Sequence, residues 1–381
     1  MKTPLDRALF PVTKAFNYLN HAAVGILPIP TRDAIVEFVE AHATAGMVGV
    51  WPYDLRLAEY RTEIARFIGA DADEIAVLRN SADGANAIAA GFQWEPGDQI
   101  ILGDNEFPSN AYPWLACRDF GANVRLVETE RERLTPDVLR KHISKRTRVV
   151  AVSWVSFMDG YRHDLAGLAE VAHEHGALLC ADVMQSLGAF PLDVRATGVD
   201  AVYSGGAKWL MALQGVSFLY LRKALIDRLR LAAPGWRSAA NLWDFLNYEQ
   251  PPVGDASRFE GGTVNFVGAL SLAKSIEVLT KPGNGIAQHV LRLTDQLCDG
   301  LHQMGAEIAS ERNPATSSGI VTFNIPQRDP IELGRILQKE KIITTYRANG
   351  IRVSPHGYNT EREIGDLLTA VSEAAPVAAA T

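Results

Sequence analysis

The chain has 381 residues, 47% of them apolar and 21% charged, and a formal net charge of -7. That length allows two units around a sizeable core. The acidic balance, with no basic run interleaved with aromatics, excludes nucleic acid and anionic membrane as expected partners. Cys117, Cys180 and Cys298 lie far apart, so neither a disulfide framework nor a metal cluster is expected, and a reducing cytoplasm is.

The N-terminal stretch MKTPLDRALFPVTKAF has no continuous apolar segment, so no signal peptide is expected. No apolar run reaches ~18 residues, so no membrane span is expected either. From residue 75 onward, short apolar runs read as strands: 75–78, 99–103, 124–128, 148–154, 177–181, 201–204 and 216–221. They lack clean alternation, as strands buried on both faces do. Helical patterns at 82–92, 112–120, 136–141 and 165–175 fall between them. This alternation predicts an α/β fold with a mostly parallel sheet covered on both sides.

The pattern changes after residue 255, with helices at 265–279, 285–304, 331–340 and 360–374 and strands at 320–325 and 350–353. The division expected is an N-terminal arm at 1–20, a large unit at 21–255 and a small α+β unit at 256–381, ending in a frayed tail.

No GxxxxGK[ST] sequence and no GxGxxG following a strand is present, which removes support for ATP and dinucleotide folds. The chemistry-bearing residues concentrate elsewhere. Lys208, in YSGGAKWL, follows a strand and two glycines that let the backbone approach a ligand closely. Asp182, in ALLCADVMQS, also ends an apolar strand, where a carboxylate is costly unless paired. The two form either a buried ion pair or a pyridoxal-phosphate site, with the lysine on the aldehyde and the aspartate on the pyridine nitrogen. A third element, RNSADGANAI, opens a helix after a strand, with Ser81 read as its cap and free backbone N–H groups suited to a phosphate.

With NSADGAN, EFPSN, ADVMQSLG, SGGAKWL, FEGGTVN and IRVSPHGYNT in this order, the chain resembles the class V aminotransferase family of fold-type I pyridoxal-phosphate enzymes. The resemblance runs from YLNHAAVG at 18–25 to residue 364. It implies a seven-stranded, mostly parallel sheet in the large unit and a C2 homodimer with shared sites. It implies Lys208 as the Schiff-base lysine, Asp182 against the pyridine nitrogen and Gln185 beside the ring's phenolic oxygen. Ser81 and Ala82 would hold the phosphate and Phe107 would stack on the ring, with Asn110 in the same loop. Ser156 would face the cofactor or substrate. Gly262 and Thr263 would reach the phosphate in the neighbouring subunit, and Arg352 would receive the substrate carboxylate.

Two departures bear on the reading. Ala207 and Gly205 stand where the family has His or Tyr and Ser, leaving Ser204, one residue further back, as the candidate hydroxyl. The stretch IITTYRANGIR carries no cysteine, which argues against persulfide chemistry by the desulfurase route. The expected activity is transamination of a small amino acid. The alternatives are β-eliminating C–S lysis, desulfurase-like chemistry or epimerisation, and, more distantly, a non-catalytic cofactor-binding sensor.

Overall fold

The computed structural model describes residues 2–129, 133–347 and 349–374, so the expected frayed tail at 375–381 lies outside the described residues. The chain begins with a short strand, β1 (Asn17–Tyr18), and three helices, α1 (Ile29–Ala45), α2 (Met47–Leu55) and α3 (Leu57–Ile68). Then follow β2 (Ile75–Leu78), α4 (Ser81–Gly91), β3 (Gln99–Gly103), α5 (Pro108–Leu115), β4 (Asn123–Val127), α6 (Pro136–His142) and β5 (Thr147–Ser153). Next come α7 (Leu165–Glu174), β6 (Leu178–Asp182), α8 (Val194–Thr197), β7 (Ala201–Gly205), β8 (Ser217–Leu221) and α9 (Lys223–Ile226).

The seven large-unit strands lie in the order β2-β8-β7-β6-β5-β3-β4, with β8 alone antiparallel to its neighbours. Successive residues feed opposite faces, as strand geometry requires. Val150 and Val152 pack in one core with Leu179, Val202 and Ile64, whereas Val149 and Ala151 pack in the other with Cys180, Tyr203 and Ile88 of α4. Both faces are therefore covered by apolar side chains, which is why the strands read as continuous apolar runs. The edge strand β4 is the exception and exposes Asn123, Arg125 and Leu126.

The chain continues through α10 (Phe266–Thr280), α11 (Gly285–Gln303), β9 (Glu307–Ile308), β10 (Val321–Asn324), α12 (Pro330–Lys339), β11 (Ile342–Ile343), β12 (Thr345–Arg347), β13 (Gly350–Val353) and α13 (Glu361–Glu373). Strands β12-β13-β10-β9 form an antiparallel sheet, and its core includes Leu297, Phe323, Leu337, Val353 and Leu367. Helix α10 buries Leu272, Ile276 and Leu279 in the same core as Ile64 and Ile68 of α3. By packing, α10 belongs with the large unit although it follows residue 255, and we propose that the small unit begins within α11.

The N-terminal arm is pinned to the C-terminal part of the chain. β1 pairs in parallel with β11, and Arg7 forms a bidentate pair with Glu363 at 2.8 and 3.1 Å. Phe10 stacks on Tyr358.

Candidate active site

Three adjacent parallel strands deliver polar residues to one sheet edge. Ser153 ends β5, Asp182 ends β6 and Tyr203 lies near the end of β7; the register aligns Ser153 with Asp182 and Asp182 with Tyr203. The carboxyl ends of parallel strands are where open α/β sheets place their ligands. Lys208 leaves this edge just after β7. Gly25 presses on its loop so closely that a Cβ at residue 25 would lie 2.0 Å from the Lys208 carbonyl oxygen.

Lys208 Nζ sits 5.4 Å from the centroid of the Phe107 ring. Burial lowers the proton affinity of this amine; Asp182 opposes the shift, and the guanidiniums of Arg352 and Arg347 reinforce it. Asp182 moves the other way. Burial raises its pKa, the Met184 N–H bond at 2.7 Å opposes this, the nearby Glu106 charge adds to it, and Lys208 counters. The pair therefore has a readily neutralised amine facing a carboxyl that takes up a proton easily.

Gln185 is buried between two fixed partners. It donates from Nε2 to the Ala22 carbonyl at 3.0 Å and accepts from Trp209 Nε1 at 3.1 Å, leaving one amide N–H for a ligand. At the start of α4 the cap is Asn80, whose side chain accepts from the Asp83 N–H at 3.0 Å. Ser81 is thus the first helical residue rather than the cap. The correction favours phosphate binding, because the Ser81 and Ala82 N–H groups precede the first intrahelical bonds and keep their direction.

Arg352, on β13, is 1% exposed and donates to the Phe157 carbonyl at 2.7 Å. Its Nε has no hydrogen-bond partner among the described residues. Burial, with Arg347 nearby, pushes its pKa down to about 10. Buried guanidiniums ordinarily pair with a carboxylate, so the side chain is poised for one from outside the chain.

Other candidates turn away from the ligand space. Asn110 is fully buried; its Nδ2 donates to Glu106 at 2.8 Å, and its Oδ1 accepts from Tyr203 at 2.5 Å and Trp114 at 3.4 Å. Its oxygen and one of its two amide N–H groups are thus used inside the protein. The Ser204 hydroxyl donates to the Gly205 carbonyl at 3.2 Å and lies against the Met184 sulfur. Met184 also packs beside Gly205, where an added Cβ would lie 3.1 Å from its methyl carbon. Ser156 is buried, and its Oγ accepts a 3.4 Å bond from the Met158 N–H beside the Phe157 carbonyl that holds Arg352. Gly262 and Thr263 are exposed and line a cavity of about 530 Å³ with Arg79, Asp83 and Asn86 of their own chain; Lys208 and Asp182 do not line it.

Sequence reasoning missed Glu106, one residue before Phe107. Its carboxylate accepts from the Ser153 N–H at 2.7 Å, the Ser153 hydroxyl at 2.5 Å and Asn110 at 2.8 Å. Burial raises its pKa, and these bonds oppose the rise. An acid beside a candidate stacking ring was the available signal.

Comparison with known proteins agrees with this geometry. The chain is 29% identical to the uncharacterized aminotransferase YcbU of Bacillus subtilis (strain 168) over 362 residues, covering 94% of each chain. It is 29% identical to a probable cysteine desulfurase of Methanothermobacter thermautotrophicus over 395 residues, covering 96% of each. Among solved structures, the apo cysteine desulfurase of Thermococcus onnurineus NA1 superposes with a TM-score of 0.89 at 25% identity, covering 98% of each chain. The model of the aminotransferase class-V family matches residues 17–366, and the chain belongs to that family of pyridoxal-phosphate-dependent enzymes.

Proposed function

We propose that the chain is a homodimeric, cytoplasmic enzyme that carries pyridoxal 5'-phosphate on Lys208 and acts at the α-carbon of a small amino acid, most simply as an aminotransferase. The observation that carries the reading is Arg352, buried without a carboxylate partner among the described residues and close enough to Lys208 to depress its pKa. An amine and a guanidinium with a spare donor suit a substrate with both an amine and a carboxylate.

The residues fit the cofactor. Asp182 would hold the pyridine nitrogen, Gln185 would offer its remaining N–H, Phe107 would cover the ring, and the Ser81 and Ala82 N–H groups would take the phosphate. Bound there, the cofactor supplies an electron sink for a bond broken at the substrate's α-carbon. Arg352 orients the substrate by its carboxylate. Lys208, neutral more readily than a surface lysine, takes and returns the α-proton as general base. Ser156, bonded to the Met158 N–H, would face the cofactor or substrate. Asn110 acts from beneath rather than by touching substrate.

The thiols argue against persulfide formation. Burial raises Cys117 to about 12 and Cys298 to about 11, and drives Cys180 well above its usual value. None is a ready thiolate. Elimination at a C–S bond and epimerisation remain the alternatives, since relatives named aminotransferase and cysteine desulfurase both align along the chain. A sensor without turnover is the more distant one.

The dimer reading is supported by a dense exposed apolar surface. Trp243, Phe245, Leu246 and Tyr248 are 58–84% exposed, and the Trp51 ring of α2 lies tilted against that of Trp243, centroids 5.4 Å apart. Patches of this kind mark interaction surfaces. In the dimer, Gly262 and Thr263 would complete the partner's phosphate site.

A panel of amino acids with a 2-oxo acid acceptor tests the activity. A new amino acid formed from the acceptor supports transamination. Release of a β-substituent without acceptor reassigns the enzyme as a lyase. Loss of chirality at the α-carbon alone reassigns it as an epimerase. No turnover across the panel, with cofactor bound, leaves the sensor.

A further inference from the structure

We propose that Glu106 is a positioning residue for the cofactor site: its carboxylate clamps the Phe107 loop to the sheet edge, so that the ring is held over Lys208 and the walls beside Asp182 are fixed. The inference rests on the reading of Lys208 and Asp182 as a cofactor site, and assigns part of that site's rigidity to a residue that touches neither cofactor nor substrate.

The argument is one of connectivity. Ser153 and Tyr203 are the register partners of Asp182 on its two neighbouring strands. Glu106 accepts two bonds from Ser153, through the backbone N–H and the hydroxyl. Its Oε2 also accepts from Asn110, whose Oδ1 in turn accepts from the Tyr203 hydroxyl. The chain Ser153–Glu106–Asn110–Tyr203 therefore bridges β5 to β7 across the end of β6, where Asp182 stands. Both ends of the bridge are strand residues; its middle is the loop and first turn that carry Phe107. The Asn110 N–H closes the turn on the Phe107 carbonyl at 2.7 Å.

Each bond has one polarity that works. Glu106 supplies only acceptors when ionised, and its three partners all present donors. Asn110 is oriented by the Trp114 N–H and the Tyr203 hydroxyl at its oxygen. Glu106→Gln would set an amide N–H against the Asn110 N–H and break the bridge there. Exchanging the two chemistries, Glu106→Gln with Asn110→Asp, restores a donor–acceptor pair: the glutamine donates, and the aspartate accepts from glutamine, tyrosine and tryptophan together. A buried polar group left without its partner costs enough to loosen the loop, whereas a re-paired one does not.

The test is the dissociation constant of pyridoxal 5'-phosphate from the full-length protein, followed by visible absorbance, with circular dichroism as the check of folding. Glu106→Gln is expected to weaken cofactor binding about tenfold or more, and the double variant to recover most of it. Ser153→Ala, which removes one donor and keeps the charge, is expected to weaken binding by about threefold to tenfold and serves if Glu106→Gln does not fold. Wild-type affinity in a folded Glu106→Gln or Ser153→Ala protein would overturn the proposal. So would a folded double variant as weak as Glu106→Gln alone. Failure of the unaltered protein to take up the cofactor would instead overturn the functional reading beneath it, and the proposal with it.

Discussion

At the residue scale, Arg352 makes the sharpest claim on substrate. Its guanidinium is buried, and its Nε has no hydrogen-bond partner among the described residues, whereas Lys208 Nζ packs against the Phe107 ring. Arg352→Ala should therefore reduce kcat/KM for amino acids by about tenfold to more than a hundredfold, since a charge-assisted contact contributes roughly 1.5–3 kcal/mol. Cofactor absorbance should be unchanged. Arg352→Lys should recover only part, because an ammonium keeps the charge but not the two-pronged geometry. Steady-state kinetics with an amino acid and its decarboxylated amine checks this: equal loss on both would make Arg352 structural. Lys208 and Asp182 stood out in the sequence because each follows an apolar strand in surroundings improbable for a surface residue; Arg352 came from the family resemblance alone, and its burial became visible only in the fold. Glu106 was not, because its role depends on Ser153, which strand register alone brings beside it. The bonding of Ser204 to the Gly205 carbonyl, beside the Met184 sulfur, was equally hidden.

At the scale of elements, α4 shows how a helix start can be fixed by the strand beneath it. Gly84 lies in its first turns, and a Cβ there would come 2.7 Å from the Tyr203 Cβ on β7. Alanine is ordinarily the better helix former by ~1 kcal/mol. Here the clash should reverse the sign, so Gly84→Ala should destabilise by roughly 1–3 kcal/mol and loosen cofactor binding as the Ser81 and Ala82 N–H groups shift. Gly365, in α13, has nothing within 4 Å of an added Cβ. Gly365→Ala should therefore stabilise by about 0.5–1 kcal/mol. Thermal melts of the two variants compare the predictions, and equal shifts would show that helix propensity rather than packing decides at residue 84. Six of the seven strands of the large sheet were readable because burial on both faces makes them compact apolar runs; the edge strand β4 showed through Val124, Leu126 and Val127. The two-residue strands β1, β9 and β11 were not, being too short for any period to show. The placement of α10 also escaped, because an apolar helix does not say which core it will join.

At the scale of the whole molecule, the exposed aromatics around Trp243 and the exposed Gly262 and Thr263 belong to one expectation, a C2 dimer whose sites are completed across the interface. Leu246→Asp with Tyr248→Asp should give a species of half the native mass by light scattering, with weakened cofactor binding. A monomer holding cofactor as tightly as the native protein would show that each chain is self-sufficient. Lys208 follows β7 at the sheet edge, with the Phe107 ring against its amine. Borohydride reduction of the purified, cofactor-loaded protein, followed by peptide mapping, interrogates that amine directly. The yellow colour should bleach, and one pyridoxyl group should be found on Lys208, in the peptide containing SGGAKWL. A label on any other lysine, or a bound cofactor that borohydride leaves removable, would contradict the account.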